Sequence, residues 1–311
     1  MPNLLLGVLR PALLAPPPTA GIAGYFAQGD ESDNVFRTDF PTDSWSTFQL
    51  LAPSTAGAGL ANSGVAGYIH RGLSDEFDPT DVMEKITLPT DSVSAITTIE
   101  QLDGFGFGDP GNIGVWGEGA VSETSTGSDV IGSFSFAVDT ITNVDVGIID
   151  PADGLGGGCD PGVAGYYPIN FDTLIGELLL PTLTATLGVA FSPSGVLEAI
   201  FGTVWVNAGV ALYATRGLDA GPPFGEETDE VRKVAFPVDA AMAAIAGMPE
   251  PSAFGGAFSN DGVAAYANKG GPFLEGASDK VFKLAYATDT WTTTTALPGA
   301  STDNGAFANM G

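Results

Sequence analysis

Hydrophobic and polar positions along this chain alternate over short stretches, and the stretches are cut by Gly and Pro. In Lys280–Trp291, KVFKLAYATDTW, Val281, Leu284 and Tyr286 mark a strand; a turn carrying Asp289 follows, and then a second strand. The same pattern recurs in Asn34–Trp45, Asp81–Val93, Asp129–Ile141 and Glu230–Ala241, with Asp43, Asp91, Asp139 and Asp239 at the turn. An aspartate there can hydrogen-bond its own backbone, so its recurrence is read as structural. No long amphipathic helical period competes with these strands.

A second phrase fixes the period. GIAGYF at Gly21, GVAGYI at Gly64, GNIGVW at Gly111, GVAGYY at Gly162, GVALYA at Gly209 and GVAAYA at Gly262 stand 43 to 53 residues apart, and 49 more residues reach Gly311. A third, small-residue phrase closes each unit, as in GAGLANSG and GAFSNDG, and suits a strand crowded near an axis. Four short strands in each of six units of about 48 residues predict an all-β, six-bladed β-propeller spanning residues 21–311. The fourth unit has Leu183 in place of the turn aspartate. The chain ends on GAFANMG, an incomplete phrase that GIAGYF at the other end completes, so the ring is expected to close by pairing the C-terminal strand with the N-terminal blade.

Residues 1–20 stand apart as an apolar arm, with Leu4, Leu5, Leu6, Leu9, Leu13 and Leu14. Arg10 follows the first apolar run and prolines break the rest, unlike a signal peptide. No stretch reaches the roughly 18 apolar residues of a membrane span, so membrane insertion is not expected.

Charge narrows the functional classes. With 37 acidic and 10 basic residues, net −27, the chain opposes phosphate backbones, and nucleic-acid binding is not expected. One cysteine, Cys159, forbids an internal disulfide, and one histidine, His70, leaves little for zinc, copper or imidazole catalysis. STDNGAFA, at Ser301–Ala308, matches only half of a sialidase-type turn and ends on Ala308 in place of Trp. A glycosidase needs only two carboxylates, and no pair stands out. Oxygen ligands cluster at Asp30, Glu31 and Asp33 and at Asp75, Glu76, Asp78 and Asp81. They lack EF-hand spacing and are read as solvated acidic loops, so no metal, cofactor or enzymatic activity is expected.

The repeats resemble the kelch family: a small-residue strand, a hydrophobic strand ending in Gly (GYFAQG, GYIHRG), a variable loop, and a strand ending in TDSW or TDTW. The family's double glycine is reduced here to Gly29, Gly72 or Gly217, approached only at Gly270–Gly271. The acidic, Gly/Ala-rich units, with GYF…G followed by V-x-K-I/L-x-F/Y-x-T-D-T/S, are also similar to propeller repeats in virion proteins of tailed viruses of marine or halophilic hosts. That resemblance implies a non-enzymatic part of the virion surface, a tail fibre, spike or capsid decoration, that contacts a host glycan or protein. The leucines of the arm make a poor free tail in water, so it is expected to lie against a neighbouring subunit or another virion protein, with packing along its own ring as the alternative. The competing readings are a secreted or surface glycan-active propeller enzyme and a generic protein-interaction propeller.

The loops after the Gly-ending strands vary while the strands hold their pattern, an arrangement suited to binding. Phe77, Phe224 and Phe273 lie in these loops, and Trp116 and Tyr167 lie near strand ends; all five are candidate binding residues. Arg71 and Arg216, just before the loops, are candidate polar anchors, unless they balance acids such as Asp75 and Asp219.

Overall fold

The computed structural model describes residues 21–29, 31–54, 58–72, 80–101, 105–117, 130–145, 156–168, 174–191, 202–218, 226–237, 241–253, 255–271, 276–302 and 305–311. They form six four-stranded antiparallel sheets. The second strands are β1 (Ala23–Ala27), β5 (Ala66–His70), β9 (Ile113–Gly117), β13 (Ala164–Pro168), β17 (Ala211–Thr215) and β21 (Ala264–Asn268). Inside them lie β24 (Ala306–Asn309), β4 (Gly59–Asn62), β8 (Gly106–Asp109), β12 (Gly158–Asp160), β16 (Val204–Asn207) and β20 (Ala257–Asn260). Outside them lie β2 (Ser32–Asp39), β6 (Thr80–Thr87), β10 (Val130–Ser135), β14 (Leu174–Leu179), β18 (Val231–Ala235) and β22 (Val281–Ala285). The outermost are β3 (Trp45–Ser54), β7 (Ser92–Gln101), β11 (Thr140–Asp145), β15 (Thr184–Ala190), β19 (Ala243–Ala244) and β23 (Thr290–Thr293).

The inner strands touch their neighbours in a closed cycle, β24, β4, β8, β12, β16, β20 and back to β24. The chain is a six-bladed β-propeller. Its last strand, β24, pairs with β1 from Ala23↔Asn309 to Phe26↔Ala306, so the two ends of the chain complete one blade.

Each of the six core clusters joins two adjacent blades. Tyr25 and Val35 of the first blade pack with Ile69 and Ile86 of the second, and Phe26 and Phe36 pack with Phe258 and Tyr266 of the last. Every blade therefore buries both faces, and β1, β5, β17 and β21 are buried at every position. Crowding at the axis explains the small residues there. A Cβ on Gly108 would lie 2.0 Å from the Ala61 carbonyl oxygen of the neighbouring inner strand.

Two polar devices repeat around the ring. At the end of each inner strand an Asn or Asp accepts a hydrogen bond from a glycine amide of the next blade. Asn309 accepts from Gly64, Asn62 from Gly111, Asp109 from Gly162, Asp160 from Gly209, Asn207 from Gly262 and Asn260 from Gly21, all at 2.7–3.0 Å. The belt is continuous through both chain ends.

The second device uses the turn aspartates. Tyr68 and Lys85 are cross-strand partners, and both reach Asp139 of the next blade, the hydroxyl at 3.3 Å and the ammonium at 2.6 Å. Tyr25 and Arg37 converge likewise on Asp91, Tyr213 and Lys233 on Asp289, and Tyr266 and Lys283 on Asp43. Burial, then the facing aspartate, raises the Tyr68 and Tyr266 hydroxyls far above the ordinary tyrosine range, which keeps them as donors. At the third blade all three positions change together. Val115 replaces Tyr, its partner is Ser133, and Leu183 of the fourth blade packs in the same cluster as Val115. The missing turn aspartate is thus matched by a missing tyrosine and cation.

Candidate functional site: the loop-bearing face

The hairpin turns divide the molecule into two faces. On one, the turn from inner to second strand has three residues wherever the chain is continuous: 63–65, 110–112, 161–163, 208–210 and 261–263. On the other, the connection from second to third strand runs from four residues (28–31) through nine (71–79) and twelve (118–129) to fifteen (216–230). Variation is therefore concentrated on one face of a constant ring, which makes that face the candidate site.

Phe77, Phe224 and Phe273 belong to these connections and lie outside the described residues, as do Asp30, Asp75, Glu76 and Asp78. Among the described residues no group of three or more His, Cys, Asp or Glu side chains is placed to hold a metal.

The structure places the other candidates among the described residues. Trp116 is 0% exposed, packed with Tyr68 and Phe134 between the second and third blades. Tyr167 is 1% exposed and stacks on Phe105 at 4.2 Å; burial pushes its hydroxyl up to about 12. Both lie in the cores between blades, out of reach of a ligand on the rim. Arg71 donates to Glu84 from Nε at 2.9 Å and Nη2 at 2.6 Å, and Arg216 stands 3.8 Å from Glu230. Among the described residues their partners are Glu84 and Glu230; Asp75 and Asp219 lie outside the described residues. Arg71 in particular neutralises a carboxylate with no exposed surface.

Lys269 occupies the position equivalent to Arg71 and Arg216, one residue past β21, and lies 3.7 Å from Glu250. The three tripeptides His70-Arg71-Gly72, Thr215-Arg216-Gly217 and Asn268-Lys269-Gly270 carry the signal, each ending on a glycine with positive φ. The residue before the cation holds the local backbone: His70 Nδ1 accepts from Gly72 N at 3.0 Å, and Asn268 Oδ1 accepts from Gly270 N at 2.8 Å. The lone histidine therefore does in its blade what an asparagine does in another. All nine cations among the described residues stand in ion pairs within the ring.

The opposite face carries the axial mouth. A cavity of about 110 Å³ runs between the inner strands, bordered at the turns by Ser63, Pro110, Pro161, Asp261 and Met310. Cys159 also lines it, and burial, then the charges of Asp109, Asp160 and Asp261, pushes its thiol up. Burial likewise raises Asp160 and Asp261 above the usual carboxylate range. A native carboxyl with a raised pKa stabilises the fold fully below its unfolded value, 3.8, and loses that contribution as pH rises through the native value. Asp261→Asn keeps the acceptor used by Ala208 N and Ser259 Oγ while removing the charge. The variant is expected to melt higher than the parent at neutral pH, with the difference closing below about pH 4. Equal melting at neutral pH would show that Asp261 is not electrostatically strained.

No family model and no curated protein matches this chain. Solved structures do. YjhT superposes with a TM-score of 0.63 at 10% identity, covering 90% of this chain and 98% of its own. A fungal alcohol oxidase of the AA5 family, in complex with copper, gives 0.55 at 10% identity, covering 92% and 67%. A catalytically inactive virginiamycin B lyase from Staphylococcus aureus, with quinupristin, gives 0.53 at 10% identity, covering 89% and 84%. What is shared is the fold. A lyase and an oxidase within this set mean that the ring alone does not choose a function.

Proposed function

We propose that this chain is a non-enzymatic attachment protein on the surface of a virus particle, a tail-fibre, spike or capsid-decoration subunit whose loop-bearing face contacts a host-surface glycan or protein. The observation that carries the reading is the contrast between three-residue turns on one face and four- to fifteen-residue connections on the other. The variable segments bring Phe77, Phe224 and Phe273, and an aromatic face that stacks on a sugar or fills a pocket contributes about 1 kcal/mol. Repetition on a multivalent particle converts such weak contacts into avidity. The charged groups of the ring support a scaffold role, because its described cations are engaged in holding blades and loops together. The kelch-like repeat grammar, with its similarity to virion propellers of marine or halophilic hosts, supplies the setting. In such a medium the surface carboxylates of a chain of net charge −27 are screened within about 8 Å or less.

The test is competition. Purified protein should block adsorption of the virus to host cells, and the Phe77→Ala/Phe224→Ala/Phe273→Ala variant should lose at least ten-fold in blocking while melting like the parent. Absence of the protein from purified particles, or full blocking by the variant, would overturn the reading. Turnover of a host polysaccharide, abolished by one Asp or Glu substitution, would favour the glycan-active enzyme.

A further inference from the structure

The face with the constant turns carries an unexplained apolar crown. The residue after the turn glycine is Ile22, Val65, Val163, Val210 or Val263 in five blades, and these side chains are 43–54% exposed. The sixth blade has Asn112 there, within the same three-residue turn. A polar residue therefore fits the position, and turn geometry does not require valine or isoleucine. Five β-branched side chains at one repeat position, circling one axis, form a patch of the kind that marks a contact surface.

The chain itself supplies an occupant. Residues 1–20 join the ring at Gly21, whose amide is part of the hydrogen-bonded belt, and Ile22 of the crown follows directly. This segment is apolar, and the first 29 residues contain no Asp or Glu, with Arg10 as their one basic side chain. The axial mouth within the crown is bordered by Asp261, and Asp109 and Asp160 end adjacent inner strands. Apolar surface thus meets apolar surface, and the one cation of the arm meets carboxylates at the axial mouth.

We propose that residues 1–20 seat in cis across the axial mouth of their own ring, on the crown of Ile22, Val65, Val163, Val210 and Val263, with Arg10 toward Asp160 and Asp261. Twenty residues reach about 60 Å when extended, ample for a crown that begins at the point of attachment. The tether also favours this seat over one on a neighbouring molecule, the occupant that the sequence suggested. A directly joined segment acts at an effective concentration of roughly millimolar or above, which a separate subunit rarely matches. The inference is independent of the proposed attachment role, since it concerns the other face.

Proteolysis of the full chain by thermolysin, which cuts before leucine, tests it. The arm should be cut at least ten-fold more slowly in the parent than in Val65→Ser/Val163→Ser/Val210→Ser/Val263→Ser, whose exposed turn positions leave the melting temperature in place. Arg10→Glu should accelerate cutting several-fold. Equal rates in parent and serine variant would overturn the proposal, as would protection that disappears on dilution together with a dimer seen by light scattering. If the serine variant melts early, deletion of residues 2–18 provides the reading: emission of a bound hydrophobic dye should rise several-fold, and unchanged emission would overturn the seat.

Discussion

A chain shortened by residues 305–311 is expected to lose its cooperative melt or to associate through the edge it exposes. The deletion removes all of β24, which pairs with β1 at four positions. It also removes Phe307, 4% exposed and stacked on Tyr25 at 4.6 Å, and Asn309, which accepts from Gly64 in the belt. Loss of a buried phenylalanine alone costs about 3–5 kcal/mol, and each lost backbone hydrogen bond about 1 kcal/mol more. The total rivals the roughly 5–15 kcal/mol by which whole domains are stable. Phe307→Ala in the full chain should show the smaller part of this, about 3–5 kcal/mol in urea, with the ring still closed. A truncated monomer that melts within about 5 °C of the parent would show that the C-terminal strand does not close the ring.

Glu84→Ala should be the most damaging single substitution of a charged residue. Glu84 is wholly buried, accepts from Leu51 N at 2.7 Å and Ala52 N at 3.2 Å on the outermost strand of the preceding blade, and receives both Arg71 nitrogens. Removing it strands a guanidinium and two amides, and breaking a buried pair from one side costs about 3–5 kcal/mol. Because Arg71 keeps 19% exposure, the lower end, about 3 kcal/mol, is expected in urea unfolding. Glu84→Gln retains an acceptor and should lose less. A change below about 1 kcal/mol for alanine would mean that water takes over the role of the carboxylate.

The repeat phrases made the blade number, the strand order and the closure legible, because each Gly-rich phrase marks a turn whose backbone only a few residues tolerate. GAFANMG and GIAGYF read as one interrupted unit, and β24 and β1 are paired. The fate of aromatic side chains was much less legible. In a sheet with one wet face, alternation separates inside from outside; here both faces are covered, so Trp116 and Tyr167 near strand ends carry no mark of their 0% and 1% exposure. The turn aspartates were recognised as structural through their own backbone. They do adopt positive φ, as at Asp91 and Asp289, but their side chains face Tyr and Arg or Lys of the preceding blade. That link spans 54 residues between Arg37 and Asp91, and only the joint change to Val115, Ser133 and Leu183 hints at it. Arg71 and Arg216 were visible as rare cations, whereas Glu84 and Glu230 as their partners needed the fold.

The pairing of Ala23 with Asn309 has a mechanical consequence. Residues 21 and 311 leave the closing strand pair at the same end, so pulling the two termini apart loads its hydrogen bonds one after another, like a zipper. The molecule should open at low force when stretched end to end. Held by one terminus and pulled at the far loops, it loads the strand pair along its length, and several bonds must fail together. A protein built this way tolerates drag best when a single end is anchored.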